Sequence, residues 1–406
     1  MSRDTVAGPS DGTRGLLRDR GRDANGRVTN IELFFDLVFV YAVTQLSHTL
    51  LGHLSIAGAF EVLLLFLAVW WVWIFTGWIT NWLDPERLAV RIMLLVLMLA
   101  GLLLSTALPD AFGEYGAVFA CAYVLMQVGR TFFMLWALGR DSPANTRNFQ
   151  RIAVWFCLAG VCWLIGGFSD LQMRWMWWVT ALAIEYIGPA ALFYVPGLGR
   201  SSTTDWDIEG GHLAERCSLF VLIALGESIV VTGSTFAETA RDPSASAALV
   251  TAFIGSVAMW WIYFDLGAER GSRAIRRSSD PGRYGRLAYT YLHLLIVAGI
   301  VVCAVGDETS IAHPAARVDA TQAMVLIGGP MLYLLGSALF KKTVNRVPFP
   351  LSHLVGLGLL VVLVVPSLVI GCLWLSVLTS MVLVVVAAWE TWALRGLRAT
   401  IEEDKA

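Results

Sequence analysis

The feature that most limits what this chain can become is a run of apolar stretches, each about 20 residues long and separated by short polar breaks. A helix of that length crosses the hydrocarbon core of a bilayer while bonding all of its own backbone N–H and C=O groups, which lipid cannot do for it. Spans are expected near 30–54, 58–82, 90–109, 115–138, 150–169, 174–196, 213–236, 245–267, 285–306, 321–340, 351–370 and 372–394. Composition agrees: 57% of the 406 residues are hydrophobic, 15% are charged, and the mean hydropathy is +0.67, far from the usage of a soluble domain. The expected fold class is all-α, a polytopic integral membrane bundle of about 12 transmembrane helices.

Short-loop charge sets the expected orientation. With the N-terminus in the cytoplasm, 25 of the 29 Lys and Arg residues fall inside, only Arg174, Arg241 and Arg317 fall outside, and Arg130 lies within a span. Both termini are then cytoplasmic in a multi-pass membrane protein. Residues 1–28 hold six arginines and no apolar core of signal-peptide length, so they read as a disordered cytoplasmic tail; 396–406 read as a second tail. The expected partners are the lipid bilayer and a small-molecule or lipid substrate; a net charge of -2 gives no reason for a nucleic acid. Six cysteines stand singly, without C-x-x-C spacing, and six histidines are scattered, so no disulfide framework, metal or cofactor is expected.

The chain matches itself at a spacing near 190 residues. Glu32 with LVFVYAVTQ answers Glu215 with FVLIALGES, WWVWIF at 70 answers WWIYFD at 260, Arg87-Leu-Ala answers Arg286-Leu-Ala, and AIEY around Glu185 answers AWET around Glu390. Four matches in one order predict two parallel six-helix repeats, 29–200 and 201–395, as in several carrier folds.

Ionisable groups inside a span are costly and are candidates for function. Glu32 and Asp36 lie four residues apart, on one face of the first helix. Gln45 and His48 follow on the same helix, but His48 is about 24 Å from Glu32 along the axis and cannot share its site. Glu227 lies about 18 Å beyond Glu215, between Gly226 and Ser228. Depth places Arg130, Asp265, Asn81 and His293 with the cytoplasmic-side acids, which predicts a cluster of Glu32, Asp36 and Asp265 facing Arg130 and His293. Mid-span Trp70, Trp71, Trp260 and Trp261 suggest an aromatic-lined cavity able to hold a cation.

These residues carry a resemblance. VTNIELFFDLVFVYAVTQLSH at 28–48 and AERCSLFVLIALGESIVVTG at 214–233, with WWIYFD, YLHLLIVAGIVVCAVG and PMLYLLGSALF, resemble the low temperature requirement A (LtrA) family of bacterial membrane proteins over residues 28 to 395. The resemblance implies that Glu32, Asp36, Glu215 and Glu227, with His48 and His293, are the family's polar positions. Arg216-Cys217 departs from the family pattern, in which the second position is often bulkier or more polar. The family name reports growth in the cold and supplies no chemistry.

Three functions fit the sequence. The leading one is a secondary transporter of a small solute, with protonation of Asp36 or Glu227 as a coupling step; no Walker motif supplies ATP. The second is a membrane-embedded enzyme acting on a lipid or isoprenoid, such as an acid-initiated terpene cyclase, although no DDxxD run is present and no catalytic residue is assigned. The third is a sensor or scaffold whose ion pairs are structural.

Overall fold

A computed structural model of the chain describes residues 15–18, 27–139, 142–202, 208–239, 242–265, 267–345 and 349–395. The expected tails, 1–28 and 396–406, lie largely outside them. Among the described residues eleven helices are long and apolar enough to cross a bilayer, and a twelfth has 17 residues, about 26 Å. The protein is a polytopic helical membrane bundle. Its spanning helices are α1 (Asn30–Gly52), α2 (Ile56–Trp82), α3 (Leu88–Ala107), α4 (Gly116–Leu138), α5 (Pro143–Gly167) and α6 (Leu171–Ile187). They continue as α7 (Gly210–Glu238), α8 (Pro243–Phe264), α9 (Pro281–Ala312), α10 (Ala320–Asn345), α11 (Leu351–Val362) and α12 (Cys372–Ala393). A short polar helix, Gly267–Arg276, connects α8 to α9.

Local chemistry explains the ends. The sixth span was expected to run from 174 to 196, but α6 stops at Ile187 because Gly188 and Pro189 follow it. Asp319 forms a reciprocal cap on α10: its carboxylate accepts the Gln322 N–H at 2.7 Å, and its own N–H donates to Gln322 Oε1 at 3.0 Å. The same Gln322 N–H holds the Asp319 carboxyl below the usual range. α9 and α10 approach backbone to backbone, since a side chain at Gly299 would stand 2.5 Å from the Tyr333 nitrogen.

Helix pairing follows one order in each half of the chain. α1 packs on α2 and α3, α3 on α4, α4 on α5, α5 on α6, and α6 back on α2. Six helices further on, α7 packs on α8 and α9, α9 on α10, α10 on α11, α11 on α12, and α12 back on α8. Between the halves, α1 meets α7 and α9 while α2 meets α7. α1 and α7 run side by side in the same direction, because Glu32 is near His212 at one end and Thr44 reaches Glu227 toward the other.

Within the expected tail, residues 15–18 are placed against the bundle. Leu17 bridges Leu83, the Arg18 N–H donates to the Trp82 carbonyl at 2.9 Å, and Leu16 is buried. This segment lies across the end of α2 and carries Arg18 to the junction of the halves.

Candidate functional site

The site is built where α1, α2 and α7 meet, near the arginine-rich end of the bundle. Glu32 and Asp36 come from the first two turns of α1, and His212 and Arg216 come from the first two turns of α7. Both pairs are spaced i, i+4, so each helix offers a short stripe of one charge type to the other. Glu32 Oε1 lies 2.8 Å from His212 Nε2 and 3.7 Å from Arg216 Nη1. Its other oxygen accepts from Arg18 Nη2 at 3.0 Å and from the Thr29 N–H and hydroxyl, both at 2.9 Å. Asp36 Oδ1 accepts from Arg216 Nη2 and from Trp73 Nε1, the latter at 2.7 Å. Arg216 also donates to Thr80 Oγ1 at 3.0 Å and lies over the rings of Phe35 and Trp73.

All four charged groups of this network are buried, and two acids are matched by two arginines without counting His212. Burying such charges is tolerable only when each is paired. Two atoms are left over among the described residues: Asp36 Oδ2 and Arg216 Nε have no hydrogen-bond partner. The pair therefore retains unmet bonding capacity at the boundary between the halves.

Asn81 joins the network as depth predicted, but through the backbone. Its amide pairs with Glu209, donating to the carbonyl at 2.7 Å and accepting the N–H at 2.8 Å, and lies 3.3 Å from His212 Nδ1. Arg130 does not pair with Glu32 or Asp36. It donates to the Val72 carbonyl at 2.9 Å, to Thr76 Oγ1 at 2.6 Å, and to Gln127. Gln127 in turn donates to Tyr123, whose hydroxyl donates to Glu185. Because Thr76 and Thr80 are one turn apart on α2, polar contacts continue from the junction into the first half.

His293 is also separate from the acids. Its Nδ1 is 2.8 Å from the Ala288 carbonyl, which fixes that nitrogen as the donor and leaves Nε2 to accept from the Tyr263 hydroxyl at 2.7 Å. A π-helical stretch, Gly285–Leu292, precedes it and turns Thr290 toward α2, where the Trp70 indole donates to the Thr290 carbonyl at 2.8 Å. The four tryptophans do not share a cavity. Trp70 and Trp71 are buried, with Trp73 packing 4.1 Å from Phe220 and Trp71 4.1 Å from Tyr186, whereas Trp260 faces outward from α8 and Trp261 donates to Thr391 at 2.8 Å along an open groove of about 700 Å³ between α8 and α12.

Toward the other end of the α1–α7 seam, the Thr44 hydroxyl donates to Glu227, and Ser228 beside it is buried with no partner among the described residues. Gln45 and Glu215 are half-buried and His48 is exposed. Asp265 directly follows α8. Between Asp36 and Thr44, about 12 Å along α1, α1 buries Phe39, Ala42 and Val43, and α7 buries Phe220 and Ala224 between Arg216 and Glu227.

Sequence reasoning missed Arg216, counted as a charge at a span entrance, and His212. The available signal was spacing: a basic i, i+4 pair opening α7 matches the acidic pair opening α1. It also missed Lys341, which donates to both oxygens of Glu390 at 2.6 and 2.7 Å inside the second half.

Fold and site together define a multi-pass helical membrane protein with a buried ionic network fastening its two halves. Residues 27–388 match the family described as bacterial low temperature requirement A protein. The chain belongs to this LtrA family. An uncharacterized protein of Rhizobium meliloti (strain 1021) is 41% identical over 367 residues, covering 90% of each chain. No solved structure matches it.

Proposed function

We propose that this protein is a secondary transporter of a small solute in the bacterial plasma membrane, with the arginine-rich end and both termini in the cytoplasm, and with proton movement at Asp36 as its coupling step. The observation that carries this reading is the Asp36–Arg216 pair. It is fully buried, it joins the first half to the second, and its partners are on helices that the sequence match makes equivalent. Motion of one half against the other must make or break this pair.

A proton on Asp36 would cancel its charge and leave Arg216 with Glu32, at 3.7 Å, and Thr80 as its partners. That loosens the arginine-rich end of the α1–α7 seam. Buried apolar residues of both helices, Val43 on α1 and Phe220 and Ala224 on α7, come between this end and Glu227, so the two polar regions are suited to serve opposite faces in turn. Glu32 keeps its ties to His212 and Arg18 throughout and acts as a fixed anchor.

The test uses liposomes loaded with a pH-sensitive dye, energised by a potassium diffusion potential and exposed to a panel of organic cations, amino acids and sugars. The reading predicts that at least one class drives proton flux in the wild type, and that Asp36→Asn abolishes it. Solute-driven flux that survives Asp36→Asn contradicts the coupling role.

A further inference from the structure

The buried acids described so far are answered by a cation or a donor. Glu32 and Asp36 have arginines, Glu390 has Lys341, and Glu185 has Tyr123. Asp307, on α9, is different. It is half-buried, and no hydrogen bond reaches its carboxylate among the described residues. The residue borders a partly open cavity of about 20 Å³ between α8, α9, α10 and α12, room for one water-sized occupant.

The lining of this cavity presents oxygen lone pairs. Thr379 and Ser380 contribute hydroxyls, yet both have already given their protons to backbone carbonyls, Thr379 to Ser376 at 3.1 Å and Ser380 to Thr251 at 3.4 Å. Neither proton is directed at Asp307. Pro330, also in the lining, has no N–H, so the Leu326 carbonyl one turn earlier lacks its usual helical donor. Space is preserved by Gly255, where a side chain would stand 3.0 Å from Ser380 Oγ. Met259, Val325 and Leu383 line the rest of the wall, so the polar groups are this carboxylate, two hydroxyl oxygens and a freed carbonyl, a set of acceptors suited to a positive charge.

We propose that the Asp307 cavity is a binding site for a monovalent cation of sodium's size. One carboxylate balances one charge; a divalent ion would leave an uncompensated charge in a low-dielectric interior. Oxygen ligands suit a hard cation. The sulfur of Cys303, which also lines the cavity, makes a soft metal's presence a matter of one ligand only. The site belongs to the second half alone. Arg87 and Arg286 are 199 residues apart, so Leu108 stands where Asp307 would fall in the first half, and it is buried among apolar neighbours. The site lies apart from the junction and stands whether or not that junction couples protons.

Equilibrium binding of radioactive sodium to the purified full-length protein in detergent, at pH 8 with choline chloride holding ionic strength, tests the assignment without any transport step. Saturable binding is expected, displaced by unlabelled sodium and not by choline. It is lost in Asp307→Asn and weakened about tenfold in Ser380→Ala or Thr379→Val, the scale on which metal sites respond to loss of a supporting group. Absence of saturable binding in the wild type overturns the proposal, as does binding undiminished in Asp307→Asn. Should Asp307→Asn fail to fold, the two hydroxyl variants carry the test, and wild-type affinity in both overturns the proposal.

Discussion

Two helices carry nearly the same six residues in opposite surroundings. WWVWIF begins at Trp70 in α2, and WWIYFD begins at Trp260 in α8. Trp70 and Trp71 are 2% and 0% exposed, while Trp260 and Trp261 are 41% and 39% exposed. The fourth position points inward in both cases, Trp73 donating to Asp36 and Tyr263 to His293. The shared motif thus specifies an inward-facing fourth position in each helix. The first two positions are decided by what covers them: Trp70 reaches Thr290 and Trp71 stacks on Tyr186, whereas on α8 it is α12 that lies beside Trp261, through Thr391. Two-fold closure of the halves would give both helices the same cover, so the contacts between halves are one-sided.

The largest effect expected from this difference lies under α2. Arg216→Ala leaves Asp36 buried without its cation, which should cost about 3–5 kcal/mol of stability, read as a fall in Tm in detergent. Loss below about 1 kcal/mol, the level of an exposed pair, would mean that the junction is hydrated and the pair incidental. Next, Trp71→Ala should cost about 3–5 kcal/mol as a core truncation, whereas Trp260→Ala, at an outward position 41% exposed, should stay within about 1 kcal/mol. Equal losses at the two positions would break the comparison. At the inward position of α8, Tyr263→Phe removes one hydrogen bond to buried His293 and should cost about 1–3 kcal/mol, less than the charged site under α2.

The smallest effect is at the α10 cap. Asp319→Ala should cost about 1 kcal/mol at pH 7. The Asp319 carboxyl is held below its ordinary range, so the folded state binds its proton less readily than the unfolded chain. The cap's contribution is therefore complete above the unfolded value of about 4 and disappears as pH falls through the lower folded value. Wild type and Asp319→Ala should converge in Tm at acid pH; a gap that widens there would refute the assignment.

Much of the architecture was legible in the sequence, because span length and hydropathy are fixed by bilayer thickness. Most helix ends appear within about five residues of the expected spans; α5 begins seven residues earlier, at Pro143, α9 runs six further, to Ala312, and α11 stops eight short, at Val362, while Gly188-Pro189 ends α6 early. Glu32 and Asp36 were legible as intramembrane acids for the same reason. Their partners were not. Depth along a helix says which residues share a level, and Arg130, Arg216 and His293 share roughly one level with Asp36. Only the packing of α1 on α7 selects Arg216. Asp307 was hidden by its position just past Gly306, where an acidic Asp-Glu pair reads as the end of a span; α9 instead continues to Ala312. Trp261 does line a groove, with Trp392, but Trp70 and Trp71 are packed away from it; sequence shows the motif and not what covers it.

The central claim, that the junction pair works rather than merely fastens, is tested most directly by the double variant Asp36→Asn/Arg216→Gln. Removing both charges together leaves no buried ion unpaired, so its Tm should recover most of what Arg216→Ala loses. Measured in the same dye-loaded liposomes, the account predicts a folded protein with no solute-driven proton flux. Flux at the wild-type level in this variant would contradict the account and reduce the pair to a structural clamp.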